Sequence, residues 1–173
     1  MSKTRQYVLT AMFIALGVAL PQAFHAVPNA GSVFLPMHIP VLLSGYAVGP
    51  VFGALCGLFT PLLSHLIFHM PPATVLPSML CELTVYGLMS GLLCKIVKTK
   101  NPVVNIYVVL VGAMLAGRVT YGILNTLIFR AGKYSLQAWL SAAFVTALPG
   151  IIIQLIIIPV IVMGLRRANL IEK

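Results

Sequence analysis

The chain has 173 residues, of which 60% are hydrophobic and 8% charged, with 11 Lys and Arg against 2 acidic residues and a net charge of +9. Soluble domains carry about a quarter charged residues, so a water-soluble globular fold is excluded and an integral membrane protein is expected. The basic excess is not a nucleic-acid signature, because its residues cluster at the ends of apolar stretches, where Lys and Arg set membrane topology.

Gly, Pro and charge punctuate the chain into six apolar spans, which predicts an all-α, single-domain bundle of six transmembrane helices over residues 1–173. The first span runs from Tyr7 to Phe24. It continues through Pro21 and Gln22 without a small-residue cleavage site, so it is read as a helix of the bundle and not as a cleaved signal. A linker from His25 to Pro36 carries Pro28, Asn29, Gly31 and Ser32. The second span, Met37 to Val48, is too short to cross a bilayer unless it is broken or buried in the bundle, since crossing takes about 20 residues. Gly49-Pro50 turns the chain into a third span ending near Phe68. His69-Met70-Pro71-Pro72 breaks the chain before the fourth span, Pro77 to Leu93. The fifth runs from Val103 to Phe129, and the sixth, after a polar loop from Arg130 to Gln137, from Trp139 to Leu165. Pro40, Pro61, Pro149 and Pro159 predict kinks that a bundle tolerates.

Six spans place both termini on one side. That side holds Lys3, Arg5, Lys95, Lys98, Lys100, Arg166, Arg167 and Lys173, and the other holds Arg130 and Lys133. Eight against two predicts a multi-pass protein of the cell membrane with both termini cytoplasmic. The loops 25–36, 69–76 and 130–138 then face outward and are the expected ligand lid.

Several chemistries are missing from the chain. It has no GxxxxGK[ST] phosphate loop. It has no Asp at all, and Glu82 is the one carboxylate within the spans. Carboxylate-pair catalysis, a Ser-His-Asp set and a multi-acid metal site are therefore excluded, and neither an enzyme nor a cofactor is expected. The three cysteines, Cys56, Cys81 and Cys94, all fall in apolar spans and read as core residues.

Glu82 and Arg118 stand out, because an ionisable group at bilayer depth costs about 3 kcal/mol or more and marks a functional site. Helical spacing places Arg118, Tyr121 and Asn125 on one stripe and Glu82 with Tyr86 on another. Gln154 and Thr146 share a face of the sixth span. With His38, which borders the first outer loop, these residues form the expected substrate site: His38, Glu82, Tyr86, Arg118, Tyr121, Asn125 and Gln154. An ion pair that only locks the bundle is the competing reading. His65 and His69 are spaced i, i+4 as metal ligands can be, but nothing joins them, and no metal is expected. Small residues form ridges that let helices approach closely. They are Ala11, Ala15 and Ala19 on the first span, Gly49, Gly53 and Gly57 on the third, and Gly87 and Gly91 on the fourth.

Taken in order, Ala11-x-x-x-Ala15-x-x-x-Ala19, Leu35-Pro36-Met37-His38-Ile39-Pro40, Gly49-Pro50, Leu76-Pro77-Ser78-Met79, Cys81-Glu82-Leu83-Thr84-Val85-Tyr86-Gly87, Gly117-Arg118 and Leu148-Pro149-Gly150 resemble the substrate-binding subunit, or S component, of energy-coupling factor transporters. The resemblance covers nearly the whole chain. It implies a subunit that captures a vitamin or related small nutrient from outside and docks on a transmembrane coupling subunit carrying two ATPases. The alanine ridge is either the docking face for such a partner or a surface of internal packing. Energy from partners is consistent with the missing phosphate loop. Cobalt and nickel S components are similar in a Met-His-Ile motif, but theirs lies at the mature N-terminus, where the free amine joins the metal. Here Met37-His38-Ile39 is internal. Arg118 leans the cargo toward a carboxylate or phosphate. The alternative to a nutrient carrier is a cargo-free structural or assembly protein of the membrane.

Overall fold

A computed structural model describes residues 1–24, 30–129, 135–168 and 171. Among them the regular structure is all helix, without strands. The helices are α1 (Lys3–Ala23), α2 (Ala30–Phe34), α3 (His38–Val48), α4 (Pro50–Phe68), α5 (Leu76–Ile96), α6 (Pro102–Leu124), α7 (Leu136–Leu140) and α8 (Leu148–Arg167). Two π-helical stretches, Asn125–Phe129 and Ser141–Thr146, extend α6 and α7. Six segments are long and apolar enough to cross a membrane: Lys3–Ala23, Gly31–Val48, Pro50–Phe68, Leu76–Ile96, Pro102–Phe129 and Leu148–Arg167.

The bundle is polar inside and apolar outside, as a lipid solvent requires. Leu66, Val51, Ile156 and Val145 are exposed, whereas Ser44, Thr60, Ser64, Ser78, Ser90, Asn125 and Gln154 are buried. The core draws on α1, α3, α4, α5, α6 and α8 together. α4 packs most extensively on α5. At their crossing the two backbones touch: a methyl group on Gly53 would collide with the carbonyl of Gly87, and one on Gly87 with the carbonyl of Gly53. The glycine ridges of the third and fourth spans are thus internal packing surfaces.

The short second span is resolved by a break. Gly31–Val48 is two-thirds buried, interrupted between α2 and α3 where Leu35 takes a left-handed backbone at φ 51°. That conformation is costly for a branched side chain, and burial of the Leu35 side chain helps to offset it. The sixth span differs from the single helix expected from Trp139 to Leu165. It divides into α7, a π-helical stretch and α8, which alone is long enough to span. Pro149 is the physical reason: it has no N–H for the preceding turn and so opens a new helix. For the same reason Pro149 and Pro40 lie in the first turns of α8 and α3, not at interior kinks, whereas Pro61 and Pro159 lie within α4 and α8.

The π-helical stretch after α6 opens on two side-chain bonds to the preceding turn. Asn125 Nδ2 donates to the Tyr121 carbonyl at 2.8 Å and Thr126 Oγ1 to the Gly122 carbonyl at 2.8 Å. Such bonds give the backbone carbonyls of the last α-helical turn a second partner.

The two ends of the bundle differ. At one end Tyr7 packs edge-on against Phe52, and Tyr46 donates its hydroxyl to the Ile106 carbonyl at 2.6 Å. The start of α1, the ends of α3, α5 and α8 and the starts of α4 and α6 gather there, with Lys3, Arg5, Lys95, Arg166 and Arg167. The candidate site lies at the opposite end.

Candidate functional site

Helix alternation brings the N-terminal ends of α3 and α5 to the C-terminal ends of α1 and α6. His38 opens α3, Glu82 lies in the second turn of α5, and Arg118 lies in the penultimate turns of α6. Glu82 Oε1 is 3.1 Å from Arg118 Nη1 and 3.9 Å from His38 Nε2. The three residues are 2–7% exposed, so this charge is removed from bulk solvent. Tyr86, one turn below Glu82, sets its ring edge-on to His38 with centroids 5.2 Å apart. Gly117 allows that placement, because a methyl group there would lie 2.8 Å from the Tyr86 ring.

Above this group lies a cavity of about 390 Å³. His38, Glu82, Arg118 and Tyr121 form its polar base. Its walls are largely apolar. Pro21 and Phe24 come from the end of α1, Met37 from the turn into α3, Pro71 and Pro72 from the α4–α5 connection, and Met79 from α5. Ala142 and Ala143 of the second π-helical stretch close another side. His65 Nδ1 lies 2.7 Å from the Pro71 carbonyl and ties the α4–α5 connection to α4.

Of the residues expected to line a site, His38, Glu82, Arg118 and Tyr121 meet in this cavity. Tyr86, Asn125 and Gln154 do not line it. Tyr86 is fully buried beneath His38. Asn125 is turned away, accepting from Ser78 Oγ at 3.0 Å while donating to Tyr121, so it locks α6 to α5. Gln154 is fully buried on α8, and neither of its amide atoms has a hydrogen-bond partner among the described residues. Thr146 is exposed on the second π-helical stretch. His65 and His69 stack edge-on at 6.4 Å, and no group of three metal-ligating side chains occurs among the described residues. His25, Pro28, Asn29, Arg130, Lys133 and Lys173 lie outside the described residues.

The apolar walls were missed by reasoning from charge and polarity. The signal available for them was the pair of Pro-containing fragments around Met37 and Met79, which flank the helix starts that frame the cavity.

The alanine ridge lies on the other side of α1. Ala11, Ala15 and Ala19 are exposed, whereas Thr10, Phe13 and Gly17 face inward. A methyl group on Gly17 would collide with Thr60 of α4. Among the described residues, the ridge is therefore left uncovered.

A polytopic helical membrane protein with a mostly apolar cavity over a buried charged base has the architecture to hold a small molecule. Residues 5–162 match the family model described as "ECF transporter, substrate-specific component", and the chain belongs to that family. It is a membrane transport subunit, and association with an energising module follows from the family. Neither the curated proteins nor the solved structures include a match to this chain.

Proposed function

We propose that this chain captures a vitamin or related small nutrient from outside the cell and delivers it through a coupling subunit bearing two ATPase subunits. The observation that carries the reading is the cavity of about 390 Å³ above Glu82, Arg118 and His38, at the end of the bundle opposite its basic cluster. Basic ends face the cytoplasm, so the cavity opens outward and both termini are cytoplasmic. A pocket of this size and apolar character suits one small ligand whose orientation is fixed by a few polar groups. The exposed ridge Ala11, Ala15 and Ala19 is the surface offered to the coupling subunit, since small residues permit close helix approach. The cargo-free reading explains the Glu82–Arg118 pair but leaves the cavity beside it without a role.

The test is retention of radiolabelled vitamins by the purified chain in detergent, followed by uptake into vesicles holding the chain with a coupling subunit and ATPases. Saturable retention of one compound and its ATP-dependent uptake are expected. A chain that retains no member of the panel and does not co-purify with a coupling subunit would overturn the proposal.

A further inference from the structure

The base of the cavity is electrically balanced, and this bears on what it recognises. Glu82 Oε1 is 3.1 Å from Arg118 Nη1, so one buried anion already answers the one buried cation. Yet hydrogen-bonding capacity remains on both partners. Arg118 Nε and Nη2, the side-by-side donors of the guanidinium, make no hydrogen bond among the described residues. Glu82 Oε1 makes none beyond its ion pair with Nη1, neither ring nitrogen of His38 makes one, and the Tyr86 hydroxyl in the same cluster is likewise without one. Buried polar atoms without partners each cost about 1–3 kcal/mol, so a ligand that pairs them gains what the protein forgoes.

We infer that the cargo presents to this base an uncharged head in which a hydrogen-bond acceptor sits beside a donor, as in a cyclic amide, a ring imide or a primary carboxamide. The inference rests on the carrier reading above and replaces the anionic head that Arg118 alone suggests. A carboxylate or phosphate would set a second anion beside Glu82 on one guanidinium, in a site from which water is largely excluded. Like charges so placed repel strongly. A zwitterionic head would match the charges but would surrender the hydration of two ions, against that of one neutral amide. An uncharged head meets the arrangement directly. Its carbonyl faces the guanidinium of Arg118, and its N–H faces the carboxylate of Glu82 or the imidazole of His38, all three of which line the cavity.

Matched small probes test the head group without knowledge of the full cargo. Benzamide, benzoate and phenylalanine would be titrated against the purified chain, and its thermal unfolding in detergent followed at constant ionic strength. The intact protein should be stabilised by benzamide, with an apparent affinity at least about tenfold above that for benzoate or phenylalanine. In Glu82→Gln the cation is uncovered, and the preference should reverse toward benzoate. Should that variant fail to fold, Glu82→Asp, which withdraws the carboxylate by one methylene, should narrow the preference. Benzoate or phenylalanine matching benzamide on the intact protein would overturn the inference, as would an absent response to benzamide or a benzoate response unchanged by substitution at Glu82. Such outcomes leave the carrier reading standing, because that reading is decided by vitamin retention and uptake.

Discussion

Trp139 Nε1 donates to the backbone carbonyl of Arg118 at 3.0 Å, and the indole lies against Gly122 one turn further along α6. The sole tryptophan of the chain is thereby fixed to the turn that carries the buried arginine. Three and four residues beyond it, Ala142 and Ala143 form part of the cavity wall.

The first prediction uses that position. Cargo that engages Arg118 should shift the emission of Trp139, and the shift should saturate with the same midpoint as radiolabelled binding. Trp139→Phe removes one hydrogen bond and should weaken cargo binding by about 0.5–1.5 kcal/mol. An emission spectrum indifferent to saturating cargo would show that this strut is uncoupled from the site.

The second concerns the charge pair. Arg118→Met strands a buried carboxylate and Glu82→Gln a buried guanidinium, and losing one partner of such a pair costs about 3–5 kcal/mol. Both single variants should melt earlier than the intact chain. The double variant Glu82→Gln with Arg118→Met should recover expression and thermal stability but still bind cargo more weakly by about 2–5 kcal/mol. Full affinity in the double variant would remove Glu82 and Arg118 from the cargo site and leave the pair a lock on the bundle.

A third prediction separates docking from capture. Ala15→Trp adds bulk to an exposed position of α1. Uptake by the assembled transporter should be abolished, because bulk prevents close helix approach, while cargo affinity of the isolated chain stays unchanged. Retained uptake would move the docking surface elsewhere.

The fourth fixes orientation. On a background lacking Cys56, Cys81 and Cys94, an impermeant thiol reagent should label Lys133→Cys in intact cells and Lys98→Cys only after lysis. Labelling in the opposite order would invert the protein and turn its cavity toward the cytoplasm.

The six spans were legible because a bilayer leaves little freedom: charge-free stretches of sufficient length must be helical, and Gly, Pro and Lys mark their ends. The second span was legible as an anomaly, since Met37–Val48 is too short, and the break at Leu35 with deep burial is how the chain accommodates it. The division at Pro149 was not anticipated, although Leu148-Pro149-Gly150 was already recognised as a motif. In the site, Glu82 and Arg118 were legible from the cost of charge in lipid. The fate of Asn125 was not. Helical spacing puts it on the stripe of Arg118 and Tyr121, but its partner Ser78 is 47 residues away, and no local pattern announces that bond. The walls were invisible for a different reason. Pro, Met and Ala lining a cavity do not contrast with the Pro, Met and Ala of an apolar chain.

α1 holds two features on one helix. Its outward side carries Ala11, Ala15 and Ala19, and its final turn supplies Pro21 and Phe24 to the cavity, with Phe24 stacked on Phe34 of α2 at 5.4 Å. Ala19 and Pro21 are separated by about 3 Å along the helix axis. The helix packs chiefly on α3 and α4, whereas the α4–α5 crossing behind it is locked backbone to backbone. If the coupling subunit seats on the ridge as proposed, a push delivered there would tilt α1 against a fixed anvil and arrive at the cargo pocket within the same helix. Docking and release would then be one mechanical event, requiring no signal relayed through the interior.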